Sequence, residues 1–263
     1  MNQHDNFPEE ESNVSEEMGV TASRGGRSRD LFLPVSILVA AIVVGGAIVF
    51  ATLYKGGGAP AAPAGTGATP TSTTMTAAQI MTLSPRDAIL GDASATVTLI
   101  EYGDYQCPYC GEFFSQTEPE IVQNYVNTGK VRMVFRNFAF LGPESTAAAE
   151  AADCAEDQNK LWAYHDALYS AKVADDANGG TEDDGFFSTA ELLKLGQQVG
   201  LDMPTFTSCV NNNTDANLVA QEKADAANAG VNSTPSFFVN GTVITGAEPY
   251  TTFQQALDSA LQG

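Results

Sequence analysis

Residues 97–110 read VTLIEYGDYQCPYC, and the order of features within them decides the fold. Within ATVTLIEY (95–102), Val97, Leu99 and Ile100 stand among β-branched neighbours, so a short buried strand is expected, closed at Gly103 by the turn-like GDYQ. Cys107-Pro108-Tyr109-Cys110 then opens a helix. Pro108 suits a first helical turn, where there is no amide hydrogen bond to lose. A thiol at this position faces unsatisfied amide protons and the positive end of the helix dipole, and both stabilise thiolate. Thiolate is the attacking species in disulfide exchange, and two intervening residues let the second thiol reach back to resolve a mixed disulfide. Cys107 is the expected nucleophile and Cys110 its buried resolving partner.

Other uses of C-x-x-C fit less well. Half a zinc site needs two further ligands, yet Cys154 and Cys209 are lone residues 55 positions apart, outside any knuckle spacing. Metal relay to a partner such as a copper acceptor lacks an accompanying Met or His cluster. A purely structural bond would close only a four-residue loop, which constrains the unfolded chain little.

Downstream of Pro108, Phe113, Phe114, Ile121, Val122, Tyr125 and Val126 recur at three-to-four spacing up to Gly129, and Pro119 is expected to kink or divide that helix. VRMVFRNFAF (131–140) is a second β-prone run, and its short connection to the helix suits a βαβ unit with a parallel sheet. A long Ala-rich helical section follows over 145–171, then an Asp- and Gly-rich loop (175–185) and a helix in 188–200, where Ser188 and Glu191 have capping-box spacing. A further helix is expected over about 215–229. PSFFVNGTVITG (235–246) reads as two strands turned at Asn240-Gly241, and the closing helix is amphipathic through Phe253, Leu257 and Leu261. The class is α/β, with the central helices inserted.

Upstream, LFLPVSILVAAIVVGGAIVFATLY (31–54) has 24 uncharged positions, against the roughly 20 that a helix needs to span a bilayer. It is longer than the ~7–15-residue apolar region of a cleaved leader and follows thirty polar residues, so one uncleaved N-terminal transmembrane helix is expected. Arg24, Arg27 and Arg29 precede it and only Lys55 follows, which places the N-terminus in the cytoplasm and the rest outside the cell membrane. Residues 1–30, with Asp5, Glu9, Glu10, Glu11, Glu16 and Glu17, read as a disordered acidic cytoplasmic tail. Residues 55–79, rich in Gly, Ala, Pro, Ser and Thr, read as a flexible linker to a globular domain over 80–263.

Across 263 residues, 43% are apolar, enough for a sizeable core, while 12 basic against 32 acidic side chains leave a net charge of −20. Such a chain repels phosphate backbones, which excludes nucleic acid as a partner. The two histidines, His4 and His165, are too few for a His-rich metal centre, and His165, beside Trp162 and Tyr164, reads as a packing residue.

These blocks, in this order, resemble the DsbA-like branch of the thioredoxin superfamily, extracytoplasmic thiol-disulfide oxidoreductases, from about Ser84 to Gly263. VTLIEYGDYQCPYC is similar to that family's first strand and active site, FRNFAF to its second strand, AADCAEDQNKLWAYHDALY and GLDMPTFTSCV to helices of its inserted domain, and GVNSTPSFFVNGTVITG to the return to the main fold. The resemblance implies a thioredoxin-like fold with a helical insertion at about 142–214. It also implies that Thr234-Pro235 forms a cis-proline loop whose backbone lies beside Cys107 and pairs with an extended substrate; a trans proline that starts a strand is the plainer reading of the two letters. Glu101, six positions before Cys107, matches a buried acid that exchanges a proton with Cys110, though a strand-end glutamate facing water has the same spacing. Cys154 and Cys209 are implied to bond to each other, closing a 56-residue loop worth about 4 kcal/mol in the chain-entropy model.

Two departures stand out. Tyr109 occupies the place where many oxidising members carry histidine, so a charge that would favour the Cys107 thiolate is missing and a milder oxidant is expected. Ala139 replaces a proline usual after the second strand. The expected activity is oxidation of cysteine-containing secreted or membrane proteins through Cys107 and Cys110, with Pro108 and Tyr109 as the active-site dipeptide, no cofactor beyond the redox-active disulfide, and a quinone-linked membrane disulfide generator for reoxidation. A monomer is expected; an isomerase is a weaker rival, since the resemblance implies that family isomerases are dimers with a separate N-terminal dimerisation domain, for which residues 56–80 leave no room. The alternatives are a disulfide reductase, a redox-silent peptide-binding or chaperone module, and a metal-delivery protein.

Overall fold

A computed structural model describes residues 75–263; the expected tail, the apolar span 31–54 and the linker up to residue 74 lie outside them. Among the described residues no helix is long and apolar enough to cross a membrane. The last part of the expected linker is ordered: Ala77–Ile80 form α1, started by Thr76 and Gln79 in a reciprocal capping box.

Five strands build one sheet in the order β1-β3-β2-β4-β5. β2 (Val97–Gly103) lies at its centre, parallel to β3 (Val131–Asn137) and antiparallel to β4 (Ser236–Val239). β1 (Ile89–Leu90) and β5 (Thr242–Thr245) close the two edges antiparallel. Helices cover both faces, so all seven residues of β2 are buried and none shows the in-out alternation of a half-exposed strand.

Side chains still alternate between the two faces. Val97 and Leu99 pack with Phe237 and Val239 against Phe113 of α2 (Pro108–Gln116), Ile121 of α3 (Glu118–Ile121), and Phe253 and Leu257 of α9 (Tyr250–Leu261). Ile100 and Tyr102 face the other way, toward Ile80 of α1 and Ala226 of α8 (Ala216–Asn228). Glu101 therefore lies on the α2 side, in register with Phe135 and Phe237.

The helix expected from Pro108 onward is divided as Pro119 foretells. Pro119 has no N–H to return to the preceding turn, so α2 stops at Gln116, and α3 passes into a single wide turn over Val122–Val126. Four helices of the insertion precede α8: α4 (Pro143–Glu156), α5 (Leu161–Ala177), α6 (Thr189–Gln198) and α7 (Met203–Asn211). The helical section expected over 145–171 consists of α4 and the first part of α5, separated where the DQNK segment turns through Asn159 at φ 55°. Ser188 caps α6 by accepting from the Glu191 N–H at 3.4 Å, while the Glu191 carboxylate pairs with Lys194 instead of returning to the cap. Asn240 and Gly241 both take positive φ, as the two-residue hairpin turn requires. At Gly111 a Cβ would lie 2.9 Å from Val173, so the absence of a side chain lets α5 pack closely on α2.

Candidate active site

Cys107 caps the N-terminus of α2, in extended backbone conformation, with Pro108 behind it in the first turn. Its carbonyl accepts from the Gly111 N–H at 3.1 Å, and its own N–H donates to the Asp104 carbonyl at 3.0 Å. The strand-to-helix turn is thereby tied to both elements. Hydrogen bonding from the Cys110 thiol pulls the Cys107 pKa down against the effect of burial, with further help from Thr234 and the N–H groups of Cys110 and Tyr109, and the balance leaves it at about 7. Cys110 is fully buried, and that burial, followed by its hydrogen bond to Cys107, pushes its thiol well above the ordinary range. One sulfur is poised to ionise near neutrality and the other resists ionisation. Tyr109, between them, is 62% exposed and forms part of the rim.

The Thr234–Pro235 peptide bond is cis. β4 begins one residue later, with Ser236 opposite Tyr102, so the loop lies at the end of β2 that leads into Cys107. Cys107 Sγ donates to the Thr234 carbonyl at 3.4 Å. The Thr234 hydroxyl is buried with no hydrogen-bond partner among the described residues, which leaves it free to donate to a Cys107 thiolate.

Glu101 is 1% exposed, and neither of its carboxyl oxygens has a hydrogen-bond partner among the described residues. Burial, then the charges of Glu118 and Cys107, hold its pKa well above the usual carboxylate range. It is not a strand-end glutamate facing water. Its charge interacts with both cysteines of the pair, so it lies near them on the α2 side of the sheet.

Sequence reasoning missed several residues that shape the site. Asp104 is buried in the turn and accepts from the Gln106 N–H at 2.9 Å through one oxygen, and from Phe140 and Leu141 at 2.9 and 3.2 Å through the other. The only sequence signal for it is an aspartate two residues ahead of the N–H it accepts from, a common turn arrangement. Gln106 donates to Glu144 at the start of α4 at 3.0 Å and accepts from the Asp183 N–H at 2.8 Å, which anchors the residue just before Cys107 to the insertion. His165 is fully buried among Tyr105, Phe135, Trp162 and Tyr169, ring centroids 4.7–5.7 Å away, in the packing position expected of it. Its Nε2 also faces Glu118 Oε2 at 3.8 Å.

Cys154 of α4 and Cys209 of α7 form a disulfide with Cα atoms 5.9 Å apart, joining two helices of the insertion. Cys209 Sγ lies 3.2 Å from an oxygen of Asp215, the residue that precedes α8.

Residues 83–259, covering the sheet, the cysteine turn and the insertion, match the thioredoxin family. The chain belongs to that family. Among relatives of this thioredoxin chain, disulfide bond formation protein D of Bacillus subtilis is 29% identical over 180 residues, which cover 66% of this chain and 77% of that protein. The crystal structure of oxidised BdbD from Bacillus subtilis superposes with a TM-score of 0.62 at 25% identity, over 68% of this chain and 94% of that one. The Na(+)/H(+) antiporter NhaA 1 of Salinispora arenicola is 32% identical over 180 residues, 68% of this chain, but the thioredoxin chain spans only 25% of the antiporter's length. The α/β thioredoxin fold with inserted helices, expected from the sequence, is the fold found.

Proposed function

We propose that this chain is a protein thiol-disulfide oxidoreductase that oxidises cysteine-containing proteins outside the cytoplasmic membrane. The observation that carries this reading is the asymmetry of the cysteine pair: Cys107 ionises at about 7 at a helix terminus, while Cys110 is buried and held protonated. The similarity to a protein named for disulfide bond formation supports it.

In the oxidising direction a substrate thiolate attacks Cys107 Sγ and the Cys107–Cys110 bond breaks. The electron pair leaves with Cys110, which takes a proton from Glu101. A second substrate thiolate then attacks the substrate sulfur of the mixed disulfide and releases Cys107 as thiolate. Two electrons have passed to the protein, and the substrate holds a new disulfide. The Thr234 backbone, beside Cys107, suits an extended substrate segment. Reoxidation requires a disulfide oxidant, for which a quinone-linked membrane protein is the proposed source. Residues 31–54 as an anchor and the following linker would hold the domain near it and raise its effective concentration.

A reductase is the second reading. The Cys107 value of about 7 matches the ≈ 7 of thioredoxin more closely than the ≈ 3.5 of a strong oxidant. The test is to mix the oxidised full chain with a reduced two-cysteine peptide. Peptide oxidation that is lost in Cys107→Ser, with a mixed disulfide trapped on Cys107 in Cys110→Ala, is the expected result. Undiminished exchange by Cys107→Ser would remove the enzymatic reading and leave a peptide-binding or metal-delivery module.

A further inference from the structure

The break at Pro119 sets Glu118 at the first position of α3, where it is 6% exposed and stands opposite the fully buried His165 of α5. Glu118 Oε2 and His165 Nε2 each lack a hydrogen-bond partner among the described residues. Proteins seldom bury such atoms unpaired, so each calls for a partner. The two face one another at 3.8 Å, beyond hydrogen-bond reach. A carboxylate oxygen of Asp166, the next residue of α5, completes a cluster whose three ligand atoms all lie within 4.8 Å of one another. Among the described residues, no lysine or arginine forms an ion pair with Glu118 or Asp166. Asp166 is exposed, and with Glu118, Phe114, Ser115 and Trp162 it lines a surface cavity of about 510 Å³, which opens the cluster to solvent.

The donor set selects the kind of occupant. Two carboxylates and a neutral imidazole balance a divalent charge. Imidazole suits zinc, copper, iron and nickel, whereas calcium takes about six to eight oxygens and magnesium keeps a near-octahedral oxygen shell. Donor atoms about 2.1 Å from one zinc ion at tetrahedral angles lie about 3.4 Å apart. Glu118 and His165, at 3.8 Å, already approach that spacing, and the exposed Asp166 side chain has room to close the remainder. His165 Nδ1 lies 3.3 Å from Tyr105 Oη, a group that can accept the Nδ1 proton and so leave the Nε2 lone pair to a metal. The cavity gives water access to the remaining coordination position.

We propose that Glu118, His165 and Asp166 form a site for one divalent transition-metal ion of the zinc class, held through one imidazole nitrogen and two carboxylates where α3 meets α5. The chain has too few histidines for a His-rich centre, but this set needs only one. The ion ties the main fold, through α3, to the helical insertion, through α5. Because the three ligands come together only in the folded chain, binding stabilises that fold. Neither Cys107 nor Cys110 is a ligand, so the site stands or falls apart from the exchange activity.

The test uses the full chain, stripped with a chelator and with Cys107 and Cys110 oxidised to their disulfide, so that no thiolate competes for the metal. Zinc chloride is titrated in by calorimetry, and nuclear magnetic resonance spectra of isotope-labelled imidazole are recorded with and without it, His4→Gln serving to assign the two histidines. One saturable zinc per chain is expected, with loss of any Nε2 proton on His165 and a urea midpoint that rises with zinc. Asp166 is exposed, so Asp166→Asn leaves the packing intact; it should weaken binding about tenfold or more, and Glu118→Gln and His165→Gln should weaken it further. Where the two buried variants do not fold, Asp166→Asn and the wild-type imidazole spectra decide. Calcium at the same concentration should not displace the zinc. Absence of saturable binding, equal binding by Asp166→Asn, or His165 signals unchanged by zinc would each overturn the proposal and leave a direct contact between His165 and Glu118. Displacement by calcium overturns the assignment to the zinc class.

Discussion

The molecule holds two cysteine pairs whose surroundings differ in nearly every respect. Cys107 and Cys110 share one turn at a strand-helix junction, beside backbone N–H groups, the Thr234 hydroxyl and the Glu101 carboxyl, whose pKa is raised by burial. Cys154 and Cys209 join two helices beside Glu150, Asp153 and Asp215, three acids whose own pKa values are raised by burial and then by neighbouring carboxylates, Asp153 to about 9. Donors and a helix terminus favour thiolate, whereas an acidic, buried setting repels an incoming one. The same side chain is therefore set up for thiolate formation in one place and cross-links two helices in the other.

The largest expected contrast is in activity. Cys107→Ser should abolish catalysed peptide oxidation, while Cys154→Ser/Cys209→Ser should keep it, provided the assay runs below the variant's melting temperature. Loss of exchange in the second variant would break the division of labour. Stability should show the opposite pattern. Removing the Cys154–Cys209 bond is expected to lower unfolding free energy by about 2–4 kcal/mol in a urea titration, with little change for Cys107→Ser.

Glu101→Gln sharpens the comparison at the exchange site. The variant should slow release of Cys110 by roughly a hundredfold and yet stabilise the fold at neutral pH by on the order of 1 kcal/mol. The sign follows from the raised folded pKa of Glu101: its protonated form is free of penalty below the ordinary value of 4.5, and stability is lost as pH rises toward the folded value. The advantage of Gln should therefore vanish in acid.

A smaller effect is expected at Thr234. Replacing its hydroxyl in Thr234→Val should raise the Cys107 pKa from about 7 by less than about one unit, read from thiolate absorbance. In the reduced protein the depressed Cys107 value adds stability that is complete above the ordinary value of 9 and lost as pH falls through about 7. Cys110, raised, works in the opposite direction above pH 9.

The exchange turn was legible in sequence because all its determinants are local: a β-branched run, a turn, and a proline in the first helical position. The hairpin at Asn240-Gly241 and the break at Pro119 were legible for the same reason. What stayed hidden depends on distance along the chain. Glu118 and His165 are brought together by the packing of α5 on α2, which Gly111 permits, and no short pattern records it. β1, only two residues long, takes its identity from its pairing with β3.

The central claim is that one pair is poised for exchange and the other is not, and equilibrium titration of the full chain in thiol-disulfide redox buffers tests it most directly, with each cysteine followed by alkylation and mass spectrometry. The expected result is that Cys107–Cys110 reduces between about −120 and −270 mV, while Cys154–Cys209 stays bonded to about −300 mV or below. Reduction of both pairs at one potential, or of Cys154–Cys209 first, would contradict it.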